Sequence, residues 1–161
     1  MLRKIIIYLF LPLIIFGCAY QTEKELKTAV NDYNRTLITV LSSGTIDMLN
    51  SVATDKEVRR MHLFLSNLNE ENEIITADLL SMMFKSTEIK PPFKIEPSST
   101  QVYQEANVKT EELWTFKYLN SSTKNVIEGP YKVQYNTRYH VVKLDNKWVV
   151  NDVYFQENIL K

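Results

Sequence analysis

The sequence predicts an α+β domain in which amino-terminal helices pack on a curved antiparallel sheet of about four strands. Three observations carry this. Apolar residues recur at helical spacing through the first half of the chain, and the period changes to two after residue 100. Two long alternating stretches are then followed by a tight turn and one further apolar segment.

Behind Arg3 and Lys4 runs an apolar stretch, Ile5 to Phe16. A spanning helix takes roughly 20 apolar residues, whereas a run of roughly 10–14 suits a signal-peptide core. Thr22-Glu23-Lys24-Glu25 reads as a capping box that opens the first helix. Leu26, Val30, Tyr33, Leu37 and Leu41 follow on one face, widened by Ala29 and Val40, and Ser42-Ser43-Gly44 closes it. Thr45 can cap a short second helix through Ile46, Leu49 and Val52. A second capping box, Thr54-Asp55-Lys56-Glu57, opens a third helix with Val58, Met61, His62, Leu65 and Leu68 on one side, broken within Asn67 to Asn72. Residues 74–90 are ambiguous. Ile74 to Leu80 fits helix or strand, and Ser81 to Ile89 suits a strand ending before Pro91-Pro92, since proline cannot donate to a ladder.

From Val102 to Tyr118 the even positions Ala106, Val108, Thr110, Glu112, Trp114 and Phe116 form one face against Glu105, Lys109, Glu111 and Lys117. From Tyr131 to Lys143 the odd positions Val133, Tyr135, Thr137, Tyr139 and Val141 oppose Lys132, Gln134, Arg138 and His140. Each is a half-buried strand with one solvated face. Asn120 to Lys124 supplies one turn, Asp145-Asn146 a tight hairpin, and Trp148 to Phe155 the closing strand.

Ile15-Phe16-Gly17-Cys18 resembles the lipobox of bacterial lipoproteins, with an aliphatic residue three before the cysteine and a small one beside the scissile bond; Phe16 is bulkier than usual. The resemblance implies a signal peptide over residues 1–17, acylation of Cys18, a short lipidated tether over 18–21 and a single domain over 22–161. The lipid on Cys18 is then the only attached group, and the chain is membrane-anchored in the cell envelope. Ala19, rather than aspartate, after the cysteine implies the outer membrane in a Gram-negative host. Cleavage removes 17 of 161 residues and leaves 144, room for one substantial core. It also removes Arg3 and Lys4, so 17 basic residues face 19 acidic ones, a formal charge of −2 that gives no basis for nucleic-acid binding. With the only cysteine acylated, neither a disulfide nor a thiolate nucleophile is available.

Tyr131-Lys132-Val133-Gln134-Tyr135 and Lys143-Leu144-Asp145-Asn146-Lys147-Trp148-Val149-Val150, with Glu111 to Tyr118 before them, resemble the closing strands of nuclear transport factor 2-like domains. They are particularly similar to the IMS-type subgroup of chloroplast and cyanobacterial division proteins. That resemblance implies a cone-like, cystatin-like fold with a concave pocket, used for catalysis in some members and for binding or dimerisation in many.

Chemistry is sparse. Neither histidine has metal-ligand spacing, no acidic loop has calcium spacing, and the three glycines build no phosphate cradle, so no metal or cofactor is expected. Glu112 breaks the apolar face between Thr110 and Trp114; burial there would make it a candidate general acid or base, with a strand end, a bulge or a basic partner as the alternative. Trp114, Tyr118, Tyr135, Tyr139 and Trp148 are candidates to line a pocket, or to be core. The expected function is a non-enzymatic binding or interaction module for another envelope protein or a small apolar ligand. The alternative is a dehydratase- or isomerase-type enzyme using Glu112 for proton transfer. A structural dimer is a third possibility, against which the polar outer face of Lys132, Gln134, Arg138 and His140 argues.

Overall fold

The computed structural model describes the backbone of residues 2–93 and 103–158, and the side chains of residues 21–93 and 103–157. The lipobox side chains Ile15, Gly17 and Cys18 lie outside the described residues. In chain order the elements are α1 (Leu2–Ser43), a 3-10 turn (Ile46–Ser51), α2 (Asp55–Glu70), β1 (Glu73–Ile89), β2 (Glu105–Asn120), β3 (Val126–Leu144) and β4 (Lys147–Asn158). The strands pair antiparallel in sequence order, an open curved meander with the helices on its inner face. The α+β expectation holds.

The stripe of α1 is the face that packs on the sheet: Leu26, Val30, Tyr33, Leu37, Val40 and Leu41 are all buried against Ala106, Val108, Tyr139, Val141 and Val150. Each fully buried side chain of this size contributes about 1.5–3 kcal/mol, so the stripe outweighs weak local propensity. Gly44 ends the helix in the left-handed region (φ +73), its N–H on the Val40 carbonyl at 2.8 Å.

Three local expectations change. Because α1 is continuous from Leu2, Thr22 lies inside it rather than at a cap. Thr45 makes no side-chain cap bond, and the short helix is a 3-10 turn anchored by Leu49. Thr54 does occupy the cap position of α2, with φ −79 and ψ 163, but its hydroxyl donates to Asn151 Oδ1 at 3.0 Å instead of capping the helix. Both side chains of that capping box, Thr54 and Glu57, are spent on tertiary contacts.

The ambiguous stretch is a single strand. β1 pairs with β2 along its whole length, with register shifts at Leu79/Ser81 and Phe84/Ser86. The hairpin at Asp145 and Asn146 has positive φ at both residues (47 and 63), the twist a two-residue loop requires. At the far tip, Gly129 has φ +93, and a Cβ there would sit 2.8 Å from the Phe116 carbonyl oxygen, so β3 lies too close to β2 for any other residue. Among the described residues, no helix is long and apolar enough to cross a membrane.

Candidate functional site

The alternation of β2 sorts its inner face into two zones. Ala106, Val108, Thr110 and Glu112 lie beneath α1, whereas Trp114, Phe116 and Tyr118 continue toward the far tip. There the sheet is floored by aromatics. Trp114 stacks on Phe116 (centroids 5.8 Å, 10° between planes), Phe116 meets Tyr135 edge-on (6.3 Å), and Tyr135 meets Phe155 of β4 edge-on (5.5 Å). These offset and edge geometries suit ring quadrupoles. Leu37 and Leu41 of α1 and Arg60, Met61 and Phe64 of α2 face this floor across a cavity of about 330 Å³. That volume is near the lower end of small-ligand pockets. Phe64 and Phe155 keep 41% and 42% of their surface exposed, so the mouth is rimmed by rings.

One charged group belongs to this pocket. Arg60 sits one turn after Glu57 and donates to it twice, Nε to Oε2 at 2.7 Å and Nη2 to Oε1 at 2.6 Å. Glu57 is fully buried, and the hydroxyl of Tyr33 from α1 also donates to its Oε1. Burying a carboxylate is costly unless it is paired and its lone pairs are filled, and here both conditions are met. The bond to Glu57 raises the pKa of Arg60, and burial followed by the nearby Glu57 charge holds the Tyr33 phenol well above its ordinary value. Arg60 stays cationic and Tyr33 stays a donor.

Glu112, 1% exposed, is the centre of a second polar cluster. Its Oε1 accepts from Thr110 Oγ1 (2.6 Å) and the Tyr139 hydroxyl (2.7 Å). Its Oε2 accepts from Trp114 Nε1 (2.9 Å) and Thr137 Oγ1 (3.1 Å). The β2–β3 register makes this possible by setting Thr137 opposite Thr110. Since the Tyr139 proton is used on Glu112, Asn34 Nδ2 of α1 donates into the same phenolic oxygen at 2.9 Å. Burial, then the Glu112 charge, raises the Tyr139 pKa well above normal, so the chain from Asn34 through Tyr139 to Glu112 keeps its direction. Four donors fill both oxygens of the carboxylate, an arrangement that ties α1, β2 and β3 together.

The predicted pocket residues divide. Trp114, Tyr118 and Tyr135 line the apolar cavity; Tyr139 belongs to the Glu112 cluster; Trp148 is buried at the opposite end, beside Gln21, Lys24 and Asp32. Glu112 is not among the residues lining the aromatic cavity. His62 is exposed on α2, and His140 sits half-buried on the outer sheet face, its Nε2 3.3 Å from Glu105. Among the described residues, no group of His, Cys, Asp and Glu could hold a metal. Sequence reasoning missed Arg60, Glu57, Phe64 and Phe155. The Glu57-x-x-Arg60 spacing was the available signal for the pair, since residues three apart on a helix are neighbours.

Among solved structures, the chain is similar to the crystal structure of the intermembrane-space region of the chloroplast protein ARC6, at 12% identity and a TM-score of 0.53 over 84% of this chain and 96% of that one. The likeness is one of fold. It agrees with the IMS-type α+β resemblance read from the closing strands. No family model and no curated protein matches the chain.

Proposed function

We propose that this chain is a lipid-anchored lipoprotein of the bacterial envelope, acylated at Cys18, whose single extracytoplasmic domain binds an apolar ligand without catalysing a reaction. The observation that carries the binding reading is the open aromatic pocket of about 330 Å³ at the far tip of the sheet. The competing enzyme reading needs Glu112 to meet a substrate. Its two oxygens are instead filled by four protein donors, and a molecule in the pocket reaches Trp114 before it reaches the carboxylate. For the anchor, support comes from the lipobox residues Ile15, Gly17 and Cys18. A fold neighbour that is itself the intermembrane-space region of a chloroplast protein accords with a place outside the cytoplasm.

The anchor and the pocket would then be far apart. Gln21 of α1 lies at the Trp148 end and Leu41 at the pocket, and twenty residues of helix span about 30 Å. The pocket would lie at the end of the domain remote from the membrane that holds Cys18. Metabolic labelling with an alkynyl fatty acid should mark the wild type and leave Cys18→Ala unmarked. Nile red, a neutral apolar dye, should brighten on the full chain and lose that response in Phe155→Asp. An unlabelled wild type would refute the anchor, and an unchanged dye response in the variant would refute the pocket.

A further inference from the structure

We propose that the pocket takes a small apolar monocarboxylate, its chain lying between the aromatic floor and the helices and its carboxylate held by Arg60. This rests on the reading of the cavity as a binding site and names what that site selects.

Among the described residues, Arg60 is the only charged one that lines the cavity. Its counter-ion is elsewhere: Glu57 is fully buried and does not line the pocket, whereas the Arg60 side chain keeps 42% of its surface. Glu57 engages Nε and Nη2 and leaves Nη1 outside the pair. A guanidinium has five donors and no acceptor, so what it offers a ligand is further N–H groups in a planar fork. Tyr118 and Tyr135 add phenolic hydroxyls to the same lining. Every polar side chain described in the lining can therefore donate and the charged one is positive, with the Glu157 carboxylate, cross-strand from Tyr135, as a negative charge beside it. A carboxylate satisfies such a set, an alcohol satisfies it partly, and an ammonium finds a like charge. Glu57 and Tyr33 hold the guanidinium in place beforehand, so little side-chain ordering remains for binding to supply.

Size narrows the class. A cavity of about 330 Å³ stands near the lower end of small-ligand sites. That suits a chain of medium length, or a flat ring acid, rather than a two-tailed lipid.

The test uses the full chain held in amphipol, in a Trp148→Phe background that leaves Trp114 as the single tryptophan of the two. Trp114 lines the pocket, so a bromine carried inside quenches its fluorescence. Bromo-octanoate should quench at a concentration about tenfold below bromo-octanol, the margin expected of a charge-assisted contact. The charge-free double variant Glu57→Gln/Arg60→Gln should erase that margin while the alcohol quenches as before. In the same amphipol the variant also subtracts partitioning into the polymer. If the double variant loses its helical circular dichroism, Arg60→Lys takes its place: it keeps a cation beside Glu57, loses the fork, and should shrink the margin by about threefold. Equal quenching by acid and alcohol overturns the monocarboxylate and leaves the apolar pocket standing. Quenching by neither, with Nile red still bound, overturns it as well. Absence of both quenching and dye binding removes the binding reading on which it rests.

Discussion

Two carboxylates, Glu57 and Glu112, are equally hidden from solvent, yet they are satisfied in opposite ways. Around Glu112 stand four neutral donors from β2 and β3, with Asn34 of α1 behind one of them. Around Glu57 stand one neutral donor and one cation, and the cation is half outside. The first cluster is closed upon itself and serves cohesion. The second conducts the influence of a buried charge to a cavity wall. Burial alone does not tell these two carboxylates apart; the exposure of their partners does.

The sharpest way to break this contrast is Glu112→Gln. An amide turns one acceptor oxygen into a donor that faces two donors, and each spoiled bond to a charged group is worth about 1.5–3 kcal/mol. A loss of about 3 kcal/mol in urea unfolding is expected; a loss below about 1 kcal/mol would show that the cluster is loose. Arg60→Gln should cost less, about 2 kcal/mol, because the amide keeps a donor for Glu57 and water can reach part of the site where the guanidinium was. Reversal of that order would mean that Glu57, not Glu112, anchors the core.

Alkaline pH gives a milder test. Tyr33 and Tyr139 have folded pKa values well above those of free phenols. Their contribution is therefore fully present below about pH 10, where the unfolded phenols begin to ionise, and declines as pH rises above it. Unfolding free energy should fall less steeply between pH 9 and 11, an interval chosen around that ordinary phenol value, in Tyr139→Phe than in the wild type. Parallel slopes would sink the idea. The smallest effect on stability belongs to Phe64→Ala at the pocket rim, about 0.5 kcal/mol, as for other exposed positions. The same change should weaken Nile red binding severalfold, which separates the rim from the core.

What could be read in advance follows from how regular each segment is. The faces of β2 and β3 were legible because residues alternate from Ala106 to Phe116, with Glu112 as the exception on the inner face, and from Val133 to Val141. β1 was not, since its two register shifts interrupt the period, and the apolar residues Leu79, Leu80, Met82 and Met83 no longer alternate. The burial of Glu112 was visible as a break in an apolar face, but its four donors needed the register of a neighbouring strand. Glu57 was concealed by a better-known explanation: in a capping box a glutamate has a local purpose, and only the approach of Tyr33 from α1 reveals another. Phe64 and Phe155 lie far apart in the sequence, on α2 and β4, and only the fold sets them on one rim.

The irregularities of β1 also bear on how this protein keeps company with others. A seventeen-residue strand at the edge of an open sheet is a long template for a foreign chain, and it exposes Leu80 and Met83. Two interruptions divide it into short runs, and Lys85, between the interrupted positions Phe84 and Ser86, sets a charge there. A visiting strand would lose register within a few residues and meet the Lys85–Glu111 ion pair when it did. Such breaks disfavour edge-to-edge pairing along β1.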